Sequence, residues 1–351
     1  MFENIYILYL LSKYQIGIIS KKDLIIGLRE YIINKGQVFI KLIQLMLANQ
    51  WKWKVDFTDE EFVEMNKILD NVYVDVPESD FRVGCGSVAF VYYNKSDNSK
   101  VIKKLLPDIV NKINESFENF SSLLRMARFL NYDIINIENI DIYKELILEQ
   151  TDMVKEAKNM IKMRRNFINV KNVNFPKVFY YNKNMIEMRY MKGDTISNFL
   201  KKYPEREKEC YSLLKKSLIR MIDTKFIHGD LHDGNLLYYL DNEIVKLNII
   251  DLGLILKIND IQQKIFYEFF IGKKIIYKIK FIYEISIKNV SFNDFNKFCN
   301  KPDVLIFFEK EKMDTNVLLK KIKEINMAIE PKYLNFLISL CSIRLKNMKF
   351  T

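Results

Sequence analysis

The segment HGDLHDGN, residues 228–235, holds both histidines of the 351-residue chain beside two aspartates and an asparagine. Three interpretations fit it: a metal site, a structural knot of polar side chains, or a catalytic loop. A histidine zinc site needs both rings on one helix face and a third ligand. Gly229 and Gly234 disfavour a helix, and no third histidine exists. Zinc is therefore the weakest interpretation, whereas a structural knot remains compatible with these eight residues alone.

The spacing of three polar residues favours the catalytic loop. In kinases an aspartate accepts the hydroxyl proton, an asparagine five residues later binds magnesium, and a second aspartate binds magnesium after the next hairpin. Asp230, Asn235 and Asp251 stand in this order. Two apolar runs about a polar turn separate the last two, which is typical of a hairpin, so we expect the two carboxylates and the amide to converge at one end of it. We expect Gly253, in IDLG, to permit the turn that directs Asp251 at the phosphates.

A glycine loop that could cradle phosphates lies upstream. The segment GCGSVA, residues 84–89, falls between two β-rich runs, and glycines let backbone N–H groups approach phosphate oxygens. Gly84, Gly86 and Ser87 are thus candidate nucleotide contacts. A segment of this form is by itself more often a simple β-turn, so it gains weight only from the residues that follow.

The expected cation follows on the next strand. Lys103, in KVIKKLLP, stands where kinases keep the lysine that neutralises the α- and β-phosphates, and strand alternation directs Lys104 to the opposite face. Glu156, in a helical segment, is the candidate that orients Lys103. Ordinary surface positions are the alternative for both. Met188 and Tyr190, in the apolar hairpin before Gly193, are candidate hinge contacts to the nucleotide.

Composition excludes several classes of protein. A content of 49% hydrophobic and 28% charged residues excludes a disordered chain. Four separated cysteines without a CxxC pair disfavour a disulfide framework and predict a reducing compartment. Lys13 and Gln15 interrupt the first apolar run well before the roughly 20 residues that a membrane-spanning helix needs. We therefore expect no signal peptide or transmembrane helix, and an intracellular protein that is cytoplasmic or peripheral to a membrane.

The formal charge of +11 is compatible with an anionic partner, namely a nucleotide, a membrane surface or a nucleic acid. Lysines on helix faces usually serve solvation, and no basic stripe with interleaved aromatics favours nucleic acid. The basic, aromatic stretch GKKIIYKIKFIYEI fits peripheral membrane contact and a core helix with outer lysines equally well.

The local patterns together predict an α+β, protein-kinase-like fold of two lobes. A helical N-terminal extension is expected over residues 1–75, and a β-rich N-lobe with a helical insertion over residues 76–192. A helical C-lobe with the catalytic loop and Asp-Leu-Gly is expected over residues 193–351. These boundaries follow the change from helical periodicity to short β-rich runs and back.

The sequence resembles the UbiB/ADCK family of atypical protein-kinase-like proteins. In VFIKLIQLML, Lys41 and Gln44 match that family's Lys-x-Gly-Gln motif, although Ile43 replaces its glycine. In QTDMVKEAKN, most of the family's Glu-x-Asp-x-x-x-Glu-Ala-x-Asn signature is kept, with Gln150 in place of the first acid. The resemblance implies ATP and Mg²⁺ as cofactors, with ATPase activity or phosphorylation of a small-molecule or lipid-related acceptor. It also implies that Lys41 and Gln44 border the nucleotide site.

Two alternatives remain open. An aminoglycoside/choline-kinase-type phosphotransferase shares HGDLHxGN, but the leader motif and EAKN separate this chain from that class. A pseudokinase scaffold that holds nucleotide without turnover would keep the same residues. No Ala-Pro-Glu segment follows Asp251, which argues against an ordinary protein kinase. The identity of the acceptor and the oligomeric state are not specified by these patterns.

Overall fold

The computed structural model describes residues 6, 9–10, 12–14, 16–34, 82–86, 88–94, 96–129, 140–272, 274–309, 318 and 321–342. The chain forms two compact units. One comprises Met1–Lys95 and Lys103–Thr151, and the other comprises Ser96–Ile102 and Asp152–Thr351. The three-part division expected from the sequence stays a prediction.

The first unit combines a strand pair with helices. Among the described residues it contains β1 (Arg82–Cys85), β2 (Ala89–Asn94) and the end of β3 (Asp97–Leu105), together with the helices α1 (Lys21–Asn34), α2 (Ile109–Phe129) and α3 (Ile140–Glu149). Strands β1 and β2 are antiparallel, with Cys85 opposite Phe90. Helix α2 buries Ile113, Phe117 and Phe120, whose spacing of four and three residues places them on one helix face. The helices predicted after Lys103 are present, whereas their interpretation as an insertion into an N-lobe stays a prediction.

The second unit begins with a small sheet and one helix. The start of β3 lies beside β6 (Met185–Arg189), which pairs with β5 (Val178–Tyr181). The N–H of Tyr190 donates to the carbonyl oxygen of Ser99 at 2.8 Å. Helix α4 (Met153–Asn166) follows an N-cap in which Asp152 accepts the N–H of Lys155 at 2.8 Å. The antiparallel pairing of β5 with β6 confirms the hairpin predicted before Gly193.

Two further sheets hold the segments around HGDLHDGN. One has the strand order β4-β10-β9-β7, with β4 Val173–Asn174, β7 Asp194–Thr195, β9 Leu236–Asp241 and β10 Ile244–Ile249. The other pairs β8 (Phe226–His228) with β11 (Ile255–Lys257). The β9–β10 hairpin turns through Asn242 and Glu243, both at positive φ, as a type I′ turn requires.

Further helices in the described part of the chain contribute buried residues to the second unit. They are α5 (Ile196–Lys202), α6 (Glu207–Asp223), α7 (Asp260–Ile271), α8 (Ile275–Glu284), α9 (Phe292–Cys299), α10 (Pro302–Glu309) and α11 (Pro331–Ser342), with a short pair β12 (Ser286–Ile287) and β13 (Ala328–Ile329) before α11. Phe281 of α8 packs edge-on against Phe266 of α7, with ring centroids 4.9 Å apart.

Helix α8 contains most of the basic, aromatic stretch singled out in the sequence. Ile279, Phe281 and Ile282 are buried, and the ammonium of Lys278 donates to the carbonyl oxygen of Phe308 at 2.9 Å. The apolar side of this helix thus belongs to the protein core. Among the helices of the described residues, none is long and apolar enough to cross a membrane.

Candidate active site

Two strand pairings bring the residues around HGDLHDGN together. Strand β8 ends at His228, which lies opposite Ile255 in β11, and the N–H of Gly229 donates to the carbonyl oxygen of Leu254 at 2.9 Å. At the open end of the β9–β10 hairpin, the N–H of Ile250 donates to the carbonyl oxygen of Asn235 at 3.1 Å. Asn235 and the residue before Asp251 therefore meet at one end of the hairpin, as the sequence predicted.

His228 braces the loop from inside the core. Its side chain is fully buried. Nδ1 accepts the N–H of Asp230 at 3.1 Å, and Nε2 lies 3.0 Å from the carbonyl oxygen of Ile250. An acceptor at Nδ1 and a donor at Nε2 require the neutral tautomer protonated at Nε2. Burial lowers the pKa of His228, which agrees with this neutral form.

The two engaged nitrogens of His228 also bear on the zinc interpretation. A metal bound at either nitrogen would displace a backbone partner and leave a buried donor or acceptor unsatisfied. Within the described part of the chain, no three His, Cys, Asp or Glu side chains are grouped so that they could hold a metal ion. Both histidines of HGDLHDGN form hydrogen bonds with backbone groups.

The backbone of Asp230 is held on every side, while its carboxylate remains accessible. Its carbonyl oxygen accepts Nδ2 of Asn235 at 2.8 Å and the N–H of His232 at 3.0 Å. The side chain of Asp230 is 25% exposed, and its Oδ2 lies 3.9 Å from Nε2 of His232. Because these hydrogen bonds use backbone groups, they hold the main chain of Asp230 in place and leave its carboxylate able to receive a proton from solvent or a bound hydroxyl.

Asn235 and Asp251 provide oxygen ligands of the kind Mg²⁺ prefers. The amide nitrogen of Asn235 is used by Asp230, so the amide oxygen faces the other way. Asp251 is exposed and has a φ of 57°, in the left-handed region that a non-glycine residue enters at a cost of about 1–2 kcal/mol. The sequence expectation assigned the special backbone of this turn to Gly253. That was wrong, because the left-handed residue is Asp251 itself.

Helix α4 supports the Asp-Leu-Gly turn from a second direction. Nδ2 of Asn159 donates to the carbonyl oxygen of Leu252 at 3.0 Å, and Asn159 is buried. Glu156 stands three residues earlier on the same helix and is also buried, so both side chains lie on one face. The segment KEAKN thus places an amide against the residue that follows Asp251.

The ABC1 atypical kinase-like domain model matches residues 63–278, more than half of the chain. The chain belongs to the ABC1 atypical kinase-like family. This confirms the resemblance read from Lys41, Gln44 and the EAKN segment.

Curated relatives of this ABC1 chain are distant. It is 24% identical over 248 residues to Protein ACTIVITY OF BC1 COMPLEX KINASE 7, chloroplastic, of Arabidopsis thaliana, covering 62% of this chain and 35% of that protein. It is 24% identical over 251 residues to the probable protein kinase UbiB of Cellvibrio japonicus, covering 60% and 43%. The probable serine/threonine-protein kinase abkB of Dictyostelium discoideum is 26% identical over 210 residues, covering 56% and 31%. The chain therefore spans less than half the length of each.

Solved structures resemble the ABC1 chain only loosely. The structure of Rv3197 with erythromycin from Mycobacterium tuberculosis covers 75% of this chain and 73% of that one, at 12% identity and a TM-score of 0.46. A similarity at this level carries no argument about the site.

The upstream candidates of this ABC1 chain lie in the first unit. Lys103 is buried on β3, on the face it shares with Val101 by strand alternation. The N–H of Gly86 donates to the carbonyl oxygen of Ala89 at 2.7 Å, so this donor closes the β1–β2 turn. Nothing lies within 4 Å of a Cβ built on Gly84. Their contacts to a nucleotide stay predictions.

Five further residues were predicted to contact the nucleotide. Met188 is buried on β6 and lies opposite Val178, and the N–H of Tyr190 is used by Ser99; a hinge contact through either stays a prediction. Lys41, Gln44 and Ser87 lie outside the described residues.

Two residues near Asp230 were missed by sequence reasoning. Asp233 accepts the N–H of Ile196 at 2.9 Å and the hydroxyl of Ser197 at 3.0 Å, so it ties the loop to the start of α5. Ser339 of α11 lies against Asp230. The available signals were a second carboxylate within HGDLHDGN and one hydroxyl in the apolar segment LNFLISL.

Proposed function

We propose that this ABC1-family chain binds ATP with Mg²⁺ and transfers the γ-phosphoryl group to water or to a small-molecule or lipid-related acceptor. The observation that carries the proposal is the bracing of Asp230, whose backbone N–H is accepted by His228 at 3.1 Å and whose carbonyl oxygen accepts Asn235 at 2.8 Å. Phosphoryl transfer depends on positioning and on electrostatic stabilisation more than on covalent chemistry. A braced loop that leaves the carboxylate of Asp230 accessible suits that demand.

Each residue has a distinct role in the proposed reaction. Asp230 accepts the proton of the attacking hydroxyl or water, whose oxygen forms a bond to the γ-phosphorus while the bond to the β–γ bridging oxygen breaks and ADP leaves. Asn235 and Asp251 would hold Mg²⁺, which neutralises charge on the phosphates when bound. Lys103, oriented by Glu156, would neutralise the α- and β-phosphates, with Gly84, Gly86 and Ser87 as loop contacts.

Two groups would complete the nucleotide site. Met188 and Tyr190 would contact the nucleotide at the hinge, and Lys41 and Gln44 would border the site from the N-terminal extension. A peripheral membrane location would fit a lipid-related acceptor.

The first test compares thermal unfolding of the wild-type chain and Asp251→Asn, with and without Mg-ATP. Selective binding to the folded state stabilises it by about 2.7 kcal/mol at a nucleotide concentration 100 times Kd. We expect a magnesium-dependent rise in Tm for the wild type that Asp251→Asn abolishes. The matched control is Asp241→Asn at the far end of the same hairpin, where the carboxylate pairs with Lys246. That variant should keep the rise.

A second variant separates chemistry from binding. Asp230→Asn removes the proton acceptor but keeps the size of the side chain, so it should retain the Mg-ATP response and lose phosphate release and transfer. No rise in Tm for a folded wild type at millimolar Mg-ATP would contradict the proposal. A rise without turnover by the wild type would instead favour the nucleotide-binding scaffold.

A further inference from the structure

A serine from the C-terminal helix reaches the candidate base. Ser339 of α11 is 3% exposed, and its Oγ lies 3.4 Å from Oδ1 of Asp230. This helix lies beyond residues 63–278, which the ABC1 family model matches. The contact therefore comes from a part of the chain outside the matched domain.

Aromatic packing fixes the rotation of helix α11 and thereby the direction of Ser339. The ring of Phe336 stacks on Phe266 at an interplanar angle of 16°, with centroids 6.0 Å apart, and meets Phe270 edge-on at 6.4 Å. Phe336 precedes Ser339 by three residues, so both lie on one helix face. One turn earlier, the hydroxyl of Tyr333 accepts Nε2 of Gln262 at 3.0 Å. Helix α7 therefore holds α11 at two successive turns.

A hydroxyl at this place can orient the carboxylate. The hydroxyl of Ser339 donates to Oδ1 of Asp230, whereas Oδ2 lies on the side of His232. The separation of 3.4 Å is longer than the 2.5–2.7 Å that a hydroxyl bound to a carboxylate usually shows. Hydrogen bonds among catalytic groups are often long without ligand and shorten when the substrate complex forms.

We propose that Ser339 is a positioning residue for Asp230, holding Oδ1 so that Oδ2 receives the proton of the attacking hydroxyl or water. This inference rests on the proposed phosphoryl transfer. It gives the C-terminal helix a part in the reaction: α11 fixes the rotamer of the base, and the packing of Phe336 on α7 fixes α11.

The test measures steady-state turnover of Mg-ATP by the full chain and its Ser339→Ala and Ser339→Thr variants. Ser339→Ala should lower kcat about tenfold, which corresponds to about 1.4 kcal/mol of transition-state stabilisation, with KM for ATP unchanged. Ser339→Thr restores the hydroxyl and should recover most of the loss. The matched control is Ser217→Ala on α6, where a buried hydroxyl donates to the carbonyl oxygen of Leu213 at 2.8 Å; kcat should stay at the wild-type value.

Three results would overturn the role of Ser339. They are an unchanged kcat in Ser339→Ala, a change in KM for ATP that parallels the change in kcat, or equal kcat in the alanine and threonine variants. A double-mutant cycle of Ser339→Ala with Asp230→Ala, followed by urea unfolding, tests the contact without turnover. Additive changes in the free energy of unfolding would overturn the contact between Ser339 and Asp230 as well. An inactive wild type with a non-additive cycle would reject the proposed function and keep the contact, so the two failures are distinguishable.

Discussion

Nε2 of His228 lies 3.0 Å from the carbonyl oxygen of Ile250, and this contact joins the loop that carries the candidate base to the residue before the candidate metal ligand Asp251. The opposite ring nitrogen accepts the N–H of Asp230. One buried imidazole thus sets the distance between the two carboxylate-bearing segments, and the geometry depends on its being neutral.

His228 should make the stability of the protein depend on pH. Burial keeps its pKa below the ordinary value in the folded chain, so in mildly acidic solution the unfolded chain binds a proton that the folded chain does not. The free energy of unfolding therefore falls as pH drops below about 6.5, by at most about 1.4 kcal/mol per pH unit. Urea unfolding of the wild type and His228→Asn between pH 5 and 8 measures this pH dependence of stability.

The His228→Asn variant lacks this titration and leaves buried backbone groups of the loop imperfectly satisfied. It should be less stable by about 1–3 kcal/mol at pH 8 and should show a shallower pH dependence. Carboxylates titrate in both proteins as well. The informative quantity is therefore the difference between the wild-type and His228→Asn slopes of the free energy of unfolding against pH. Equal slopes would contradict the assignment of a neutral His228.

Asp251 should carry a measurable backbone cost. At a φ of 57°, glycine is accommodated more easily than any residue with a Cβ. Asp251→Gly should therefore be more stable than Asp251→Ala by about 1 kcal/mol, while both lose the Mg-ATP response. Urea unfolding without nucleotide gives the comparison.

The same pair of substitutions at Asp230 is the control for Asp251. The backbone of Asp230 is not in the left-handed region, so Asp230→Gly should be no more stable than Asp230→Ala. If glycine were favoured equally at both positions, the difference would reflect the glycine itself and not the conformation of Asp251.

The amide of Asn159 should stabilise the Asp-Leu-Gly turn by donating a hydrogen bond. Asn159→Asp keeps the shape but cannot donate to the carbonyl oxygen of Leu252, now 3.0 Å away. We expect a loss of about 1–3 kcal/mol of stability and a rise in Kd for Mg-ATP of roughly tenfold, because the turn that carries Asp251 loses its support. Calorimetric titration with Mg-ATP measures the second effect.

Asn174→Asp is the control variant for Asn159→Asp. The side chain of Asn174, on β4, is exposed and donates to Oδ1 of Asn248 at 3.2 Å. It should leave the Kd for Mg-ATP unchanged. Equal weakening in both variants would indicate a general effect of added charge.

Gly193 should not tolerate a side chain. Its φ is 140°, and an added Cβ would lie 3.0 Å from the backbone carbon of Leu237 and from the carbonyl oxygen of Tyr238. Gly193→Ala should therefore cost on the order of 1–3 kcal/mol or more. Gly84→Ala is the matched control, because nothing lies within 4 Å of its Cβ position; it should change stability by less than about 0.5 kcal/mol. Differential scanning calorimetry ranks the two, and equal losses would contradict the close approach at Gly193.

The sequence alone determined the features that depend on neighbours along the chain. Two apolar runs about a polar turn predicted the β9–β10 hairpin, and the return from β-rich runs to a helical pattern predicted helix α2. The order of Asp230, Asn235 and Asp251 predicted their shared end of the hairpin, because a hairpin returns the chain to where it began. The family resemblance followed from the leader motif at Lys41 and Gln44 and from the EAKN segment.

Only the tertiary structure decided the contacts between distant segments. Ser339 against Asp230, Asn159 against Leu252, and the buried core role of α8 depend on how whole helices pack, which no local period encodes. The left-handed backbone at Asp251 was also missed, because local propensity assigns that conformation to glycine. Tertiary packing can impose it on aspartate when the hydrogen bonds around the turn, such as that from Asn159, offset its cost.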